Sequence, residues 1–336
     1  MSVPLHELPP EAAARVRRQK HPAWIPPMLA TLTERRFSDP NWLFERKFDG
    51  ERCLAFRHGS EVRLMSRNRL VISSQYPEIV DALARQQADD FVLDGEIVAF
   101  EGERTSFHRL QRRMHVSNPS PSLIRSVPVT YYVFDLPFAD GHDIARVGLR
   151  WRKWLLRRVI HFRQPLRFSR HVEGRGEAFY REACADGWEG VIAKRADSPY
   201  VGTRTKDWLK FKCVLEQEFV IGGYTDPQGR RSGFFGALLV GYYEDGQLVY
   251  AGKVGTGFDE RDLADLTRRL TALEQGQPPF RRDQLPKKGV HWVRPKLVAE
   301  IGFSEWTEDR HLRHPRFLGL REDKSAEEVV LERPQS

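Results

Sequence analysis

Short apolar runs broken by turn residues recur through the first two-thirds of the chain, and they predict strands rather than long helices. Trp42-Leu43-Phe44 and Cys53-Leu54-Ala55-Phe56 flank the segment Glu45 to Arg52. Asp49-Gly50 inside that segment is a tight-turn dipeptide, with glycine free to take positive φ. A hairpin is expected there, with Lys47 projecting from a strand end into a cleft. Residues 53–57 and 62–66 read as a meander that ends in the polar cluster Ser66-Arg67-Asn68. Residues 91–100 form a long apolar strand with Asp94 and Glu96 in its middle. The two-residue period sets both acids on one face, and acids in such a run are costly unless paired or bound. The alternative is a bulge at Gly95 that turns both to solvent. Residues 129–136 are another strong strand, rich in aromatic and β-branched residues; most of its rings suit a core, and one near its end could stack on a base. Helices are expected at 11–18, 76–87, 106–114, 150–159 and 176–185.

Further on, Glu189 and Lys194 bracket the short apolar strand Val191-Ile192-Ala193. Residues 200–207 read as a basic loop. In 208–212 strict alternation puts Lys210 and Lys212 on one face. Like charges on one strand face repel, so an anion held between them would explain the pattern; an edge strand guarded by lysines is the alternative. Beyond Lys212 the texture changes to short strands at 219–224, 237–243, 248–254, 292–293 and 297–303. One amphipathic helix lies among them at 259–274, with leucines at 263, 266, 270 and 273 and Asp259 as N-cap. This set fits a small Greek-key barrel of the oligonucleotide-binding type, with the domain boundary near 213–218. The basic segment 313–324 is a second candidate for anion binding.

At 336 residues, two domains are expected. With 30% charged residues the composition is that of a soluble globular protein, and no apolar run approaches the roughly 20 residues that span a bilayer. The first 20 residues lack the apolar core of a signal peptide. The net charge of +8 permits binding to a polyanion without proving it. Only twelve residues are lysine, and none lies between Lys47 and Lys153, so a lysine within a motif stands out. Burial and neighbouring cations, with Arg46 and Arg52 as candidates, would lower the pKa of Lys47 and free its lone pair. The three cysteines, Cys53, Cys184 and Cys213, are far apart in sequence. Neither a disulfide nor a zinc site is expected, and a reducing cytoplasm fits.

Seven motifs now stand in order: Lys47-x-Asp49-Gly50-x-Arg52, Ser66-Arg67-Asn68, Asp94-Gly95-Glu96, Tyr132-Val133-Phe134-Asp135, Glu189-Gly190 to Lys194, Lys210-x-Lys212, and Arg321 to Lys324. Together they resemble the covalent nucleotidyltransferase superfamily of ATP-dependent polynucleotide ligases and mRNA capping enzymes, and within it the bacterial end-joining DNA ligases. The likeness runs from about residue 22 to the C-terminus. It implies an α+β fold: a lead-in at 1–21, an ATP-grasp-like nucleotidyltransferase (ligase core) domain of antiparallel sheets and helices at 22–213, and an OB-fold β-barrel at 214–336. It implies that Lys47 attacks the α-phosphate of ATP, becomes a lysyl-AMP, and passes AMP to the 5′-phosphate of a nick that the 3′-hydroxyl then seals. Lys47, Asp49, Arg52, Lys210 and Lys212 are the implied catalytic residues. The implied nucleotide contacts are Glu45 at the adenine edge, Arg52 and Arg67 at phosphate or ribose, Glu96, Phe134 stacked on adenine, and Lys194, Lys210, Lys212, Arg321 and Lys324. Glu96 and Glu189 are the implied ligands for magnesium or manganese. The implied partner is nicked or broken double-stranded DNA, with a Ku-type end-binding protein possible. A monomer without membrane attachment is expected, in the bacterial cytoplasm at the nucleoid. About 20 residues precede the likeness, so two domains alone are expected to grip DNA. An RNA ligase or a guanylyltransferase on the same core is the nearest alternative. A non-catalytic DNA-end-binding protein is a more distant one, because none of its expected damage to the lysine or the acids is present.

Overall fold

The structure is a computed structural model that describes residues 3–213, 215–227, 233–281, 285–286 and 288–331. The chain divides into two compact units, one up to Cys213 and one from Val214 to Arg333; Val214 itself, at the expected boundary, lies outside the described residues.

The strands of the first unit are, in chain order, β1 (Arg17–Arg18), β2 (Leu29–Leu32), β3 (Trp42–Lys47), β4 (Glu51–His58), β5 (Glu61–Ser66), β6 (Asp90–Glu101), β7 (Arg104–Thr105), β8 (Val129–Ala139), β9 (His142–Asp143), β10 (Leu166–Phe168), β11 (His171–Glu173), β12 (Gly190–Arg195) and β13 (Arg204–Lys212). Its helices are α1 (Pro10–Ala13), α2 (Pro77–Ala84), α3 (Phe107–Gln111), α4 (Pro121–Ser126), α5 (Leu149–Val159) and α6 (Gly176–Ala185). They build two sheets. One has eight strands, with the order β1-β9-β8-β6-β4-β5 and with β10 and β7 joined to β8 and β6; the other has five, in the order β11-β3-β12-β13-β2. The main core of the unit gathers residues of β4, β6 and β8 with residues of α2, α3 and α5. A smaller core holds Phe44, Val191, Ala193 and Phe211 of the five-stranded sheet against Ala183 of α6.

The expected hairpin at Lys47 is not formed. β3 pairs with β11 and β12, whereas β4 pairs with β5 and β6. Phe48-Asp49-Gly50 is therefore the crossing from one sheet to the other. Both flanking runs were strands, as their patterns predict, but strand partners come from distant sequence and the dipeptide does not reveal them. Gly50 is also not among the positive-φ glycines. Its requirement is close approach, since a Cβ there would lie 2.2 Å from the carbonyl oxygen of Ile97. Gly50→Ala is expected to cost about 1–3 kcal/mol of stability, read as a lowered urea midpoint.

Other expectations shift for similar reasons. The helix expected at 11–18 shrinks to α1, because Arg17 and Arg18 pair with Asp143 and His142 at the sheet edge. The basic loop at 200–207 gives way at Arg204 to β13, which also pairs with β2. That pairing makes β13 an inner strand and removes the edge-strand explanation of its lysines. Cys184 and Cys213 form a disulfide with Cα atoms 5.2 Å apart, contrary to expectation. α6 packs on the apolar face of the sheet whose strand β13 ends at Lys212, and this brings the two together. Cys53 is free and buried. Cysteine usage therefore gives no support to a reducing compartment.

The second unit contains β14 (Leu215–Thr225), β15 (Leu238–Glu244), β16 (Gln247–Val254), β17 (Glu274–Gln275), β18 (Val290–Phe303), β19 (Glu305–Trp306), β20 (Leu312–Arg313), β21 (Arg316–Leu320) and helix α7 (Glu260–Thr271). Its main sheet runs β16-β15-β14-β18-β17 with β21 on β18, and every pair is antiparallel. α7 carries the expected Asp259 cap, closed as a capping box with Asp262. Among the described residues no helix is long and apolar enough to cross a membrane.

Candidate active site

One face of the five-stranded sheet carries Glu45 and four of the motif lysines, and register explains how. Lys47 of β3 pairs with Gly190 of β12, which pairs with Lys212 of β13. The next same-face row is Glu45, Ile192 and Lys210, and Lys194 stands beside Trp208. The two-residue period thus collects Glu45, Lys47, Lys194, Trp208, Lys210 and Lys212 on one side, together with Leu43 and Ile192, and sets Phe44, Val191, Ala193 and Phe211 on the other. Gly190 leaves the middle of the first row without a side chain; a Cβ there would lie 2.0 Å from the Phe211 carbonyl oxygen.

Nζ of Lys47 is paired with Oε1 of Glu189, next to Gly190. Burial pulls the Lys47 pKa down, and so does Lys212, but Glu189 and Asp49 outweigh them and the net direction is up. At rest, then, this lysine is an ammonium ion, the reverse of the sequence expectation. The lowering cation beside it is Lys212. Arg46 instead lies over the rings of Trp188, Phe48 and Phe100. Asp49 accepts the backbone N–H of Phe107 at 3.3 Å, at the start of α3. The Oε2 atom of Glu189 is buried and has no hydrogen-bond partner among the described residues. An unpartnered carboxylate oxygen is a hard donor that suits magnesium or manganese, so the residues fit a divalent ion here.

Glu45 sits deeper. Its Oε1 accepts from Lys153 at 2.8 Å, and its Oε2 accepts from Ser169 at 2.7 Å and from Lys194 at 3.2 Å. Burial favours the neutral acid, but Lys153 and Lys194 prevail and hold its pKa at about 2. Burial also depresses Lys194 to about 8, against the pull of Glu45. Lys194 lies 4.1 Å over the rings of both Phe134 and Trp208. His171, opposite Glu45 across the β11–β3 register, falls to about 4 through burial and the nearby Lys153.

These shifts set an expected pH dependence. His171 resists protonation when folded, so its contribution is full above pH 6.5 and lost as pH falls toward 4. Glu45 resists protonation as well, so its contribution is full above pH 4.5 and lost toward pH 2. As pH falls from neutrality, urea midpoints should drop in two overlapping stages. His171→Phe is expected to flatten the upper stage alone.

The eight-stranded sheet supplies the other wall. Arg52 of β4 makes a two-pronged bond to Asp94 of β6, 2.6 Å on each prong, and Nη2 also reaches the Met28 carbonyl. Tyr200 donates to Asp94 at 2.6 Å. Glu96 is partly buried, pairs in register with Arg52, and helps to hold the guanidinium charged. The β6–β8 ladder does break register at Asp94–Gly95, but the acids do not turn to solvent: both face one arginine. The Arg52 guanidinium lies 4.7 Å over Phe134, whose own strand is β8. Phe134, Trp208, Met28 and Tyr200 form a buried cluster that joins the two sheets. Asp135 is taken by a buried pair with Arg152 of α5. Arg67 lies just past β5, partly buried.

Arg321 and Lys324 belong to the second unit, described by itself. Arg321 binds Asp323 at 2.8 and 2.9 Å and reaches Glu300 at 3.5 Å, and Lys324 is paired with Glu218. Their cations are internally matched there.

The model of the ATP dependent DNA ligase domain matches residues 27–212, and that of the ATP dependent DNA ligase C terminal region matches 231–324. This chain belongs to the ATP-dependent DNA ligase family. The multifunctional non-homologous end joining protein LigD of Pseudomonas aeruginosa is 38% identical over 93% of this chain and 37% of its own length. The DNA ligase of Thermococcus onnurineus is 33% identical over 85% of this chain and 52% of its own. The chain thus spans about half the length, or less, of these curated relatives. A solved mycobacterial DNA ligase D complexed with ATP and MES has a TM-score of 0.67 and 36% identity, covering 91% of this chain and 98% of that one. The ligase fold is thereby a nucleotidyltransferase domain followed by an OB-fold domain.

The sequence motifs do not point to Lys153, Ser169, Tyr200 or Trp208. A signal existed for Lys153: it and Arg152 fall among Leu149, Leu155 and Leu156 on the buried side of α5, where a basic residue demands a partner. Ser169 and Tyr200 lie in irregular segments with no such pattern.

Proposed function

We propose that this chain seals 5′-phosphate/3′-hydroxyl nicks and breaks in double-stranded DNA through a lysyl-AMP on Lys47, as the ligation step of bacterial end joining. The observation that carries this reading is the row Lys47–Gly190–Lys212 with Glu189 against Nζ. That row sets one amine, a second cation and a carboxylate close together, the charges that a bound phosphate and its metal ion would meet. Nζ attacks the α-phosphorus of ATP, an N–P bond forms, and pyrophosphate leaves with the displaced electron pair. AMP then passes to the 5′-phosphate, and the 3′-hydroxyl displaces it to form the phosphodiester. Lys210 and Lys212 offset the phosphate charge. Asp49 holds the crossing against α3, which keeps Lys47 aimed. Arg52 is fixed by Asp94 through Nε and Nη2, so Nη1 is the edge that meets a ribose or phosphate oxygen. Arg67 joins it. Phe134 is the proposed stacking partner of adenine, and Trp208, nearly wholly buried under Lys194 and Arg52, backs it. Oε1 of Glu45, with one bond from Lys153, keeps a lone pair for the exocyclic amine. Arg321 and Lys324 meet the nucleotide's phosphates on exchange of their carboxylate partners. A divalent magnesium or manganese ion held by Glu189 and Glu96 would supply positive charge beside the phosphates. The domain limits follow the motifs, 22–213 and 214–336 after a lead-in at 1–21. The chain works as a monomer in the bacterial cytoplasm at the nucleoid, and a Ku-type end-binding protein is its proposed recruiter.

The attacking amine must lose a proton. Weakening the Glu189 charge removes the main influence that raises Lys47 and leaves burial and Lys212, which both lower it, opposed by the weaker pull of Asp49. Glu189→Gln is therefore expected to move the Lys47 ammonium titration to lower pH, seen by nitrogen NMR of labelled lysine. An unchanged titration would show that Glu189 does not govern the nucleophile.

Intact-mass measurement tests the function. Incubation with ATP and magnesium should add one AMP, pyrophosphate should remove it, and a nicked duplex should be sealed with AMP released. A gain with GTP and none with ATP would make the chain a guanylyltransferase. Adenylation with transfer to nicked RNA alone would make it an RNA ligase.

A further inference from the structure

At the far end of β4 from the cleft, three side chains from separate segments converge. His58 closes β4, Asp90 opens β6 in direct register with it, and His21 comes from the lead-in that precedes β2. Nδ1 of His21 is 2.7 Å and Nδ1 of His58 is 3.1 Å from the same oxygen, Oδ1 of Asp90. All three donor atoms lie within 4.8 Å of one another. Six residues along a strand separate His58 from Arg52, roughly 20 Å, so this cluster is no part of the nucleotide cleft.

We propose that His21, His58 and Asp90 form a binding site for a divalent transition-metal ion, with zinc the best match. The donor set is the reason. Two imidazoles and one carboxylate suit a borderline ion and disfavour magnesium or calcium, which prefer all-oxygen shells. Nitrogen and oxygen donors about 2.0–2.1 Å from a tetrahedral ion stand roughly 3.3 Å apart; the 3.1 Å at His58 is close to this, and His21, at a hydrogen-bonding 2.7 Å, has only to draw back slightly as the ion replaces the proton. The surroundings hold the donors in place, as supporting contacts do in metal sites. Oδ2 of Asp90 accepts the backbone N–H of Gly141 at 2.8 Å, which leaves Oδ1 turned to the histidines. The His21 ring lies edge-on to Phe56 and Phe138, 6.2 and 5.3 Å between centroids, and 4.9 Å from the ring of His58. His21 and Asp90 are largely shielded while His58 is 68% exposed, so the ion has an entry side and room for a water as fourth ligand. A bound ion would fasten the lead-in to the rim of the eight-stranded sheet by linking a residue otherwise held there through hydrogen bonding and ring contacts.

The test uses the full untagged chain, stripped with chelator and titrated calorimetrically with zinc chloride. One equivalent is expected to bind, with a zinc-dependent rise in melting temperature. His58→Ala and Asp90→Asn should each weaken binding at least about tenfold and abolish that rise. Because His58 is exposed, His58→Ala should keep the zinc-free melting temperature of the parent, which separates loss of the site from loss of folding. Replacing zinc with cobalt should give the visible absorption of a four-coordinate ion in the parent and not in the variants. Absence of zinc binding below about 100 μM, or binding undiminished in His58→Ala, would overturn the proposal and leave the cluster as a hydrogen-bonded pin.

Discussion

Lys47→Ala is expected to abolish self-adenylation and to reduce sealing of ordinary nicks by at least about 10⁴-fold, the scale on which removal of a nucleophile acts. No other described lysine on this face can replace it. Lys194 has its ammonium engaged by Glu45 and by two rings, and Lys210 and Lys212 stand on β13, with β12 between them and β3. The variant should fold. The Lys47 side chain is a fifth exposed, so its truncation opens Glu189 to water or cations rather than leaving it uncompensated. Binding of nicked DNA should therefore be nearly unchanged while the AMP mass gain disappears. Sealing of a DNA strand already carrying its 5′-adenylate should survive in part, since that last step needs no amine. Full nick sealing by a variant of verified mass would sink the lysyl-AMP mechanism.

Glu45→Ala is expected to have the largest effect on stability. Truncation leaves Lys153 and Lys194 inside the protein, both at most 3% exposed, without the carboxylate that binds them. Breaking a buried ion pair by removing one partner typically costs about 3–5 kcal/mol, because the remaining charge loses its compensation. Here two ammonium groups lose it together. Lys194, already depressed to about 8 by burial, escapes by deprotonation, so the variant should regain stability as pH rises, whereas the parent should gain less over the same range. Denaturant unfolding at pH 7 and pH 9 measures this. A loss below about 1 kcal/mol at pH 7 would mean that water or Ser169 takes over the role of the carboxylate. Glu45→Gln should recover part of the loss through the amide oxygen while keeping the deficit in charge.

Period-two alternation made the lysine face of β13 readable, because a strand's facing follows from its own residues. It also predicted that Asp94 and Glu96 look the same way. Which strand lies beside which is set by distant partners, and there the reading of Asp49-Gly50 failed: the turn chemistry was sound but the two strands had other neighbours. Lys47's ionisation was misjudged for the same reason. Its deciding neighbour, Glu189, is 142 residues away, while Arg46 and Arg52, close in sequence, turn to aromatic rings and to Asp94. The Cys184–Cys213 bond was hidden because α6 and the end of β13 meet only in the folded unit. Arg321 and Lys324 were legible as cations, and the acids that hold them, Glu218, Glu300 and Asp323, were not.

The crossing at Phe48-Asp49-Gly50 has a mechanical meaning. Lys47 ends one sheet and Arg52 lies near the start of the next, so the two groups are set by separate frameworks that meet through a three-residue link and the aromatic cluster of Phe134 and Trp208. The distance between amine and guanidinium is thus a gauge of the gap between sheets. Trimming Trp208 or Met28, neither of which bears the nucleophile, alters that gap, and chemistry at Lys47 would register a change in spacing that no alteration in its own strand had caused.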